Sequence, residues 1–347
     1  MTVNKLSLIQ DMNKVLPGIA TGSAVLENAD TIVFNNGHIY SYNSAISVDV
    51  CETNPSGLKG IVKGIDFYKC LTKLPGNEIE VEIEKDCWKI KDGNIHVKMN
   101  ILNDNAVFER LKSLQSSESW MKIDSSDFHE ALAACNMPRN NSKYAGIFFN
   151  GDYVLSTDIY TINKYLPKDK YPKFWIGNNA VTELLKWNNF DGIRFNKMWI
   201  QFHSADDAIF SVRTLDMTTF PIDMINNVIV DGSKLEPVFS SEFGNDFFEA
   251  INRAQIFSME DDGHDIVIFD IGKDGSKISS ERKYGSYEES VISIKSDNPM
   301  VLKLDIQAIR ECASKYTKFK VIKRTDMEAI NLILETENSL KMISTIC

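Results

Sequence analysis

The segment Asp270–Glu281 has the residue types and spacing in this chain that come closest to a metal site. Its first, fifth and twelfth residues are acidic and its sixth is glycine, as in a helix–loop–helix calcium site. The third residue, Gly272, has no side-chain oxygen, and the flanking patterns are those of strands rather than helices. We therefore predict a hairpin turn at 273–275 and no bound metal.

Residues that could catalyse a reaction are present but scattered. His129 and Glu130 are adjacent, as in a zinc-protease motif, but the second histidine of that motif is missing. The acidic residues of Glu78–Glu84 alternate with apolar ones, which predicts a strand with one buried and one solvated face. The sequence contains no glycine-rich phosphate loop and no recognisable serine–histidine–aspartate set. We predict a protein that is not an enzyme and needs no cofactor.

Cationic residues form another group of candidates, because they recur on the exposed faces of predicted amphipathic helices. These residues are Lys5, Lys14, Lys69, Lys73, Lys186, Arg253, Arg310 and Lys315. A further set follows the third predicted helix and consists of Arg139, Asn141, Lys143 and Tyr144. Each residue alone is explained by ordinary solvation, and acidic neighbours such as Glu130 and Glu183 dilute the charge. If all the helices line one surface, the cations converge there and attract phosphates regardless of base sequence.

The helices that carry these cations recur along the chain. They are predicted to begin near Lys5, Ile65, Ser126, Asn178, Gly244 and Asp305, at intervals of about 60 residues. Alternating strands follow each helix, joined by turns such as Asn35–Gly37 and Asn150–Asp152, whose residues tolerate positive φ. The six repeats pair into three units in which antiparallel sheets carry helices on one face, which predicts an α+β fold. The polar segment Asn103–Ser119 is predicted to be a linker, and the expected domains are residues 1–110, 111–226 and 227–347.

The bulk composition limits the class of protein. The chain has 347 residues, a net charge of −10 and a pI of about 5.1, unlike a generic basic nucleic-acid binder. This balance does not exclude a local basic surface. Six cysteines follow no metal-binding spacing and are expected to be reduced thiols. We expect a cytoplasmic protein, because no signal peptide and no membrane-spanning apolar run is recognised.

Four stretches of this chain resemble one known family when they are taken in order. They are Arg139–Phe149, Leu155–Ile162, Phe210–Leu215 with the following Phe220-Pro221, and Phe247–Ala254. The second is similar to an Ala-Thr-Asp-Gly-His-Arg-Leu stretch, and the third to a final middle-domain strand with its Phe-Pro junction. With the layout of three units of two halves, the whole chain resembles the DNA sliding clamps, the family of the bacterial DNA polymerase III beta subunit. The divergence suggests a phage or otherwise unusual bacterial version.

The resemblance implies a ring that encloses duplex DNA and has no catalytic activity. Three domains per chain imply a head-to-tail homodimer, with the helices lining the hole and the sheets forming the outer wall. DNA is then held topologically, so an acidic protein with weak, non-specific contacts can slide on it. By position, Arg139, Asn141, Lys143 and Tyr144 are the best candidates for contacting DNA.

The resemblance also implies a cleft in which the polymerase and the clamp loader dock short peptide motifs. The matching positions are Thr157, Ile159, Tyr160, Ile162, Pro221, Met224, Met342 and Ile343. Ordinary core packing explains these apolar residues equally well. The residues Ile159-Tyr160-Thr161 replace the family's Gly-His-Arg, and the tail Ser344–Cys347 lacks its usual ending, so the cleft is expected to accept a different peptide.

Two alternatives to a clamp remain open at this point. One is a β-rich structural or assembly protein of a phage, with no role on DNA. The other is a hydrolase whose site cannot be recognised in the sequence.

Overall fold

The computed structural model describes residues 1–20, 27–137, 141–261, 264–312, 315–324 and 329–345. The helices in this part of the chain are α1 (Lys5–Val15), α2 (Gly64–Lys73), α3 (Asn105–Ser113), α4 (Ser125–Cys135), α5 (Asn178–Leu184), α6 (Ile222–Lys234), α7 (Asn245–Ala254) and α8 (Ile306–Arg310). The strands up to residue 165 are β1 (Thr2–Asn4), β2 (Thr31–Asn35), β3 (His38–Tyr42), β4 (Ile46–Cys51), β5 (Gly60–Lys63), β6 (Glu78–Ile83), β7 (Cys87–Asp92), β8 (Ile95–Asn100), β9 (Met121–Lys122), β10 (Ile147–Asn150), β11 (Val154–Thr157) and β12 (Thr161–Tyr165). The later strands are β13 (Lys173–Ile176), β14 (Phe190–Asn196), β15 (Trp199–Ser204), β16 (Ile209–Arg213), β17 (Phe239–Glu242), β18 (Met259–Asp261), β19 (His264–Ile271), β20 (Ser276–Arg282), β21 (Gly285–Val291), β22 (Met300–Asp305), β23 (Lys318–Arg324), β24 (Ala329–Glu335) and β25 (Ser339–Ser344).

One compact unit consists of Met1–His129 and Asn179–Leu215. It holds a four-stranded sheet in the order β1-β6-β7-β8 and an eight-stranded sheet in the order β5-β2-β3-β4-β16-β15-β14-β9. The larger sheet is continuous across the antiparallel pair β4·β16, in which Val48 lies opposite Phe210. Strands that are distant in the sequence thus form one surface.

The second compact unit consists of Glu130–Asn178 and Asp216–Cys347. Its eight-stranded sheet has the order β13-β10-β11-β12-β25-β24-β23-β17 and is continuous across β12·β25, where Ile162 lies opposite Met342. Its other sheet has the order β22-β19-β20-β21, and β18 also pairs with β19. Each unit therefore contains one large and one small antiparallel sheet, and the predicted α+β class is confirmed.

All six helices predicted from the repeat are present, as α1, α2, α4, α5, α7 and α8. Two of their starts have local causes, because the Asn4 side chain accepts the N–H of Ser7 (2.9 Å) and Asp305 accepts that of Ala308 (2.9 Å). Once started, the helices are held by their apolar faces. Phe67 of α2, for example, packs edge-on against Phe34 and Trp88, with ring centroids 5.3 to 5.8 Å apart.

Helices α3 and α6 were not predicted. Helix α3 lies in the segment expected to be a linker, where the Asp104 side chain caps it by accepting the N–H of Ala106 (2.8 Å). Helix α6 buries Ile225, Ile229 and Gly232 along one face. The domain boundaries expected after residues 110 and 226 fall inside these two helices, and the three-domain division stays a prediction.

Several local predictions can be compared directly with the structure. Gly272 N–H donates to the carbonyl of Gly275 (3.0 Å) between β19 and β20, so the calcium-like segment is a hairpin as predicted. Strand β6 buries Ile79 and Val81 and exposes its glutamates, which confirms the predicted alternation. The five cysteines in the described part of the chain are free thiols. No helix among the described residues is long and apolar enough to cross a membrane.

Candidate nucleic-acid and peptide interfaces

Helix α1 does not present its first lysine to solvent. Lys5 is buried, and its Nζ donates to the carbonyl of Leu74 (2.5 Å) at the end of α2. The prediction of an exposed Lys5 is wrong, because a carbonyl supplied by another element binds the ammonium group. Lys14, in the last turn of α1, forms an ion pair with Asp206.

Helix α2 presents two lysines to solvent. Lys69 and Lys73 are exposed, and neither forms an ion pair with a described residue. Two residues after α5, the exposed Lys186 is paired with Glu183 of that helix (2.7 Å). Because an exposed pair is weak, the pairing reduces the charge that Lys186 offers to a ligand without removing it.

The cations predicted on α7 and α8 are engaged within their own unit. Arg253 donates to Glu289 through two nitrogens, and Arg310 donates to the side chain of Gln255 (2.6 Å). Lys315 donates to the carbonyl of Ala133 on α4 (2.9 Å), and burial, reinforced by Lys341, holds the pKa of Lys315 below its usual value. These three residues are less available to phosphate than the lysines of α2.

The segment after α4 carries a further accessible cation. Lys143 and Asn141 are exposed, and the Lys143 ammonium lies 4.9 Å from the ring centroid of Tyr144. Tyr144 in turn packs edge-on against the buried Phe220, with 6.3 Å between ring centroids. The aromatic side chain is thus fixed by the core and supports the lysine. Arg139 lies outside the described residues.

The predicted peptide-binding residues separate into exposed and buried sets. Ile159, Tyr160 and Met224 are 58%, 36% and 52% exposed, and Pro221 is partly exposed. The remaining residues, Thr157, Ile162, Met342 and Ile343, are buried. The burial of the second set agrees with the alternative of ordinary core packing, and peptide binding at these eight positions stays a prediction.

Helix α6 is the reason for this burial. Ile162 and Met342 lie in one apolar cluster with Phe220 and with Ile225 and Ile229 of α6. Ile343 lies on the opposite side of the sheet. It belongs to the apolar core that also contains residues of α7 and α8. Helix α6 of the same chain thus covers Ile162 and Met342, which a partner peptide was expected to contact.

Two residues of the exposed set, Ile159 and Tyr160, lie on a strained turn. Ile159 has a φ of +88°, which β-branched residues rarely adopt. Asp158 holds the turn by accepting the N–H groups of Tyr160 (3.0 Å) and Thr161 (2.6 Å). The turn thus holds a β-branched residue in a costly backbone conformation, and the Ile159 side chain projects into solvent.

Sequence comparisons alone do not identify the chain. No protein-family model and no curated protein sequence matches it. Solved structures do match over essentially the whole chain. The DNA polymerase III subunit beta sliding clamp of Bartonella birtlesii, solved bound to griselimycin, is 16% identical with a TM-score of 0.79, over 100% of this chain and 99% of that one.

Two further structures give the same result. The beta subunit of the DNA polymerase of Streptococcus pyogenes is 15% identical, with a TM-score of 0.76 over 99% of each chain. The DNA polymerase sliding clamp of Bacillus subtilis is 16% identical, with a TM-score of 0.75 over 100% of this chain and 98% of that one. This chain has the beta sliding-clamp fold. The similarity gives no support to a phage assembly protein or to a hydrolase.

The clamp fold explains why six helices share a period although identity is only about 15%. It does not assign binding residues, and two features of this chain were not anticipated. One is the cover formed by α6. The other is Lys341, which is buried between α4 and α8 and paired with Glu311 (2.8 Å). A single lysine within a strand carries no sequence signal for burial.

Proposed function

We propose that this protein is a sliding clamp that encircles duplex DNA and tethers a replicative DNA polymerase. It has no catalytic residues of its own in this proposal and acts in the cytoplasm, in three domains of two repeats each. The observation that carries the proposal is the pair of strands at which two repeats join into each eight-stranded sheet.

Both large sheets are joined by the same kind of strand. In the first unit β4 and β16 pair, and each is the third strand after its helix, α1 or α5. In the second unit β12 and β25 pair, and each is the third strand after α4 or α8. The strands that follow α2 and α7 take part in neither junction. A third junction of this kind would pair β8, the third strand after α2, with β21, the last strand of the hairpins after α7.

Strands β8 and β21 have the properties of partners in such a junction. Both lie at sheet edges, and neither has a partner on its outer side among the described strands. The outward row of β8 carries the exposed His96 and Lys98, whereas the matching row of β21 carries Glu288. An exposed edge with complementary charge favours pairing with another chain.

Because β8 and β21 belong to different units, the contact between copies is head-to-tail. Such contacts close into a ring when the rotation between copies closes. Two copies bring twelve repeats together, and we propose that they form a homodimeric ring whose hole is lined by the repeat helices. Duplex DNA then binds without sequence preference, chiefly through the exposed lysines Lys69, Lys73 and Lys143 and the exposed amide of Asn141. Arg139 is included in this proposal from its position in the sequence alone.

For the polymerase and the clamp loader we propose docking at the exposed residues Ile159, Tyr160, Pro221 and Met224. A short peptide motif would insert an apolar side chain beside them. Since α6 covers Ile162 and Met342, the peptide meets a shallower surface than a fully open groove. Tyr160→Ala is expected to weaken polymerase capture in a pull-down while the ring stays closed.

The ring is tested by topology on DNA. Protein loaded on closed circular duplex should resist a high-salt wash and should be released when a restriction enzyme linearises the DNA. Equal retention on circular and linear DNA contradicts the proposal.

The junction is tested by charge reversal. The wild-type protein should have twice the mass of the 39.3 kDa chain in analytical ultracentrifugation. Lys98→Glu should shift the mass toward the monomer, and adding Glu288→Lys should restore the dimer. Lys303→Glu, on the opposite edge of the sheet that contains β21, is the matched control and should leave the mass unchanged.

A further inference from the structure

A cavity of about 330 Å³ lies inside the first unit, between the eight-stranded sheet and α3. Phe108 and Leu111 of α3 and the following Leu114 form its apolar roof. The floor is formed by residues of β2, β3, β4, β14, β15 and β16, and is mostly polar, with Val33 and Ile209 as its apolar members. None of these residues belongs to the surfaces proposed above for DNA, for the polymerase or for a second copy.

One end of the floor is acidic. The Asp49 carboxylate of β4 accepts a hydrogen bond from His38 Nδ1 (2.8 Å), and the Asp49 side chain is 29% exposed and lines the cavity. Tyr40 lines the same end, and burial together with the Asp49 charge raises the pKa of Tyr40 to about 12. This end thus offers a carboxylate and a neutral phenol to a ligand.

The other end of the floor is basic. The Arg194 guanidinium lies 4.0 Å from the Trp120 ring centroid, and its Nε donates to Gln201 Oε1 (2.9 Å). Gln201 is itself fixed, because its Nε2 donates to the carbonyl of Leu114 and to Ser211 Oγ, both at 3.0 Å. The arginine is therefore held in position rather than free to follow solvent.

The distance between these ends indicates the size of the ligand. Asp49 is on β4 and Arg194 on β14, three strand spacings away in the sheet order, which corresponds to about 14 Å. An extended peptide advances about 3.3 Å per residue, so roughly four residues cover the floor. A single ion or a compact metabolite would reach only one end.

In the second unit, a helix covers the face of the large sheet. There α6 packs on the face of the large sheet through Ile225 and Ile229, and a Cβ at Gly232 would lie 2.9 Å from Met342 Cε. The shorter α3 packs on Val33 and Ile61 near the β5 edge and leaves the polar seam between β4 and β16 uncovered. The cavity exists because α3 is too short to cover the polar seam between β4 and β16.

We propose that this cavity is a second docking site of the protein, and that it binds an extended partner peptide of about four residues. The peptide carries a basic side chain at the Asp49 end, a carboxylate at the Arg194 end and apolar side chains under α3. This inference goes beyond the proposed clamp function and does not depend on it, because binding is measured on the isolated protein.

Four acetylated and amidated peptides test the proposal by calorimetry. Two are the charged sequences Arg-Leu-Leu-Asp and Asp-Leu-Leu-Arg, which cover both chain directions. The controls are the neutral Gln-Leu-Leu-Asn and the singly charged Arg-Leu-Leu-Asn. One charged order should bind at least tenfold more tightly than the neutral peptide, with the singly charged peptide between them. Equal binding of all four, or no binding of either charged order at millimolar concentration, overturns the proposal.

Variants locate the site. Asp49→Asn keeps the shape and should weaken the better peptide five- to tenfold, whereas Asp30→Asn removes an exposed carboxylate of the same unit and should have no effect. Gln115→Trp, at an exposed rim position, should block entry without disturbing the core. Tyr160→Ala should leave this binding unchanged, which separates it from polymerase docking. If Asp49→Asn binds as wild type does, the peptide lies elsewhere and the proposal is wrong.

Discussion

Arg253 of α7 and Glu289 of β21 form a two-point ion pair, with Nε–Oε2 at 2.8 Å and Nη2–Oε1 at 2.7 Å. Tyr287 also donates its hydroxyl to Glu289, and Glu249 approaches Arg253 at 3.5 Å. The guanidinium therefore has a fixed geometry and little uncompensated charge. A residue that the sequence marks as a DNA contact is thus held by its own unit.

Glu289→Gln should release Arg253 for phosphate and strengthen binding to duplex DNA two- to threefold at low salt. The gain should vanish near 0.3 M salt, because screening removes exposed charge effects. Fluorescence anisotropy with a labelled duplex measures it. Glu249→Gln, which removes the more distant carboxylate, is the matched control and should have a smaller effect.

The same pair predicts a dependence on pH. The Arg253 and Tyr287 hydrogen bonds hold the pKa of Glu289 below its usual value. A group with a lowered pKa adds stability above its unfolded pKa, and this contribution is lost as the pH falls through the folded value. Between pH 5 and 3 the melting temperature of the wild type should fall more steeply than that of Glu289→Gln, and parallel curves contradict the assignment.

Lys69→Glu with Lys73→Glu should reduce retention on circular DNA more than Lys186→Glu does. The two lysines of α2 are unpaired among the described residues, whereas Lys186 shares its charge with Glu183. Each lost phosphate contact should lower the log–log salt slope by about 0.9. Circular dichroism should show unchanged folding, since all three residues are exposed. Equal effects of the two changes mean that pairing does not decide availability.

Ile159→Gly should stabilise the protein by about 1 kcal/mol, because it relieves a φ of +88° that costs on the order of 1–3 kcal/mol in a residue with a Cβ. The same change should weaken polymerase capture, since it removes an exposed apolar side chain. Ile159→Ala separates the two effects, because it shortens the side chain but keeps the strain. Chemical denaturation and pull-down measure them, and an unstable glycine variant contradicts the argument.

Gly232→Val should destabilise the second unit by about 1–3 kcal/mol, the usual range for overpacking. A Cβ at this position would lie 2.9 Å from Met342 Cε and 3.2 Å from Ile322 Cδ1. Ser233→Val places the same β-branched residue at the next, exposed position of α6 and controls for helix propensity. If both variants unfold at the same denaturant concentration, α6 does not pack closely on the sheet.

The parts of the fold that depend on local chemistry could be predicted from the sequence. The side chains of Asn4 and Asp305 cap α1 and α8 by accepting the N–H group of the residue three positions later. The alternation in β6 is visible within six residues. Helix α6 was missed because Asn226, Asn227 and Gly232 are poor helix formers. It is stabilised by packing on Ile162 and Met342, which lie on distant strands.

The candidate site could be predicted only in part. The exposure of Lys69 and Lys73 follows from helical periodicity, and the structure agrees with it. Tyr160 was named only from the family resemblance. The cavity under α3 could not be predicted, because Asp49 and Arg194 line the same cavity only once β4 and β14 have joined the same sheet.

By itself, the sequence determined where helices and strands alternate and which faces of them are apolar, since the periods of 3.6 and 2 residues are local properties of the backbone. Only the tertiary structure decided which charges and apolar residues remain available. Lys5 meets the carbonyl of Leu74, and α6 covers Ile162, through contacts between distant parts of the chain. Spacing determines the direction in which a side chain points, and folding determines what it meets there.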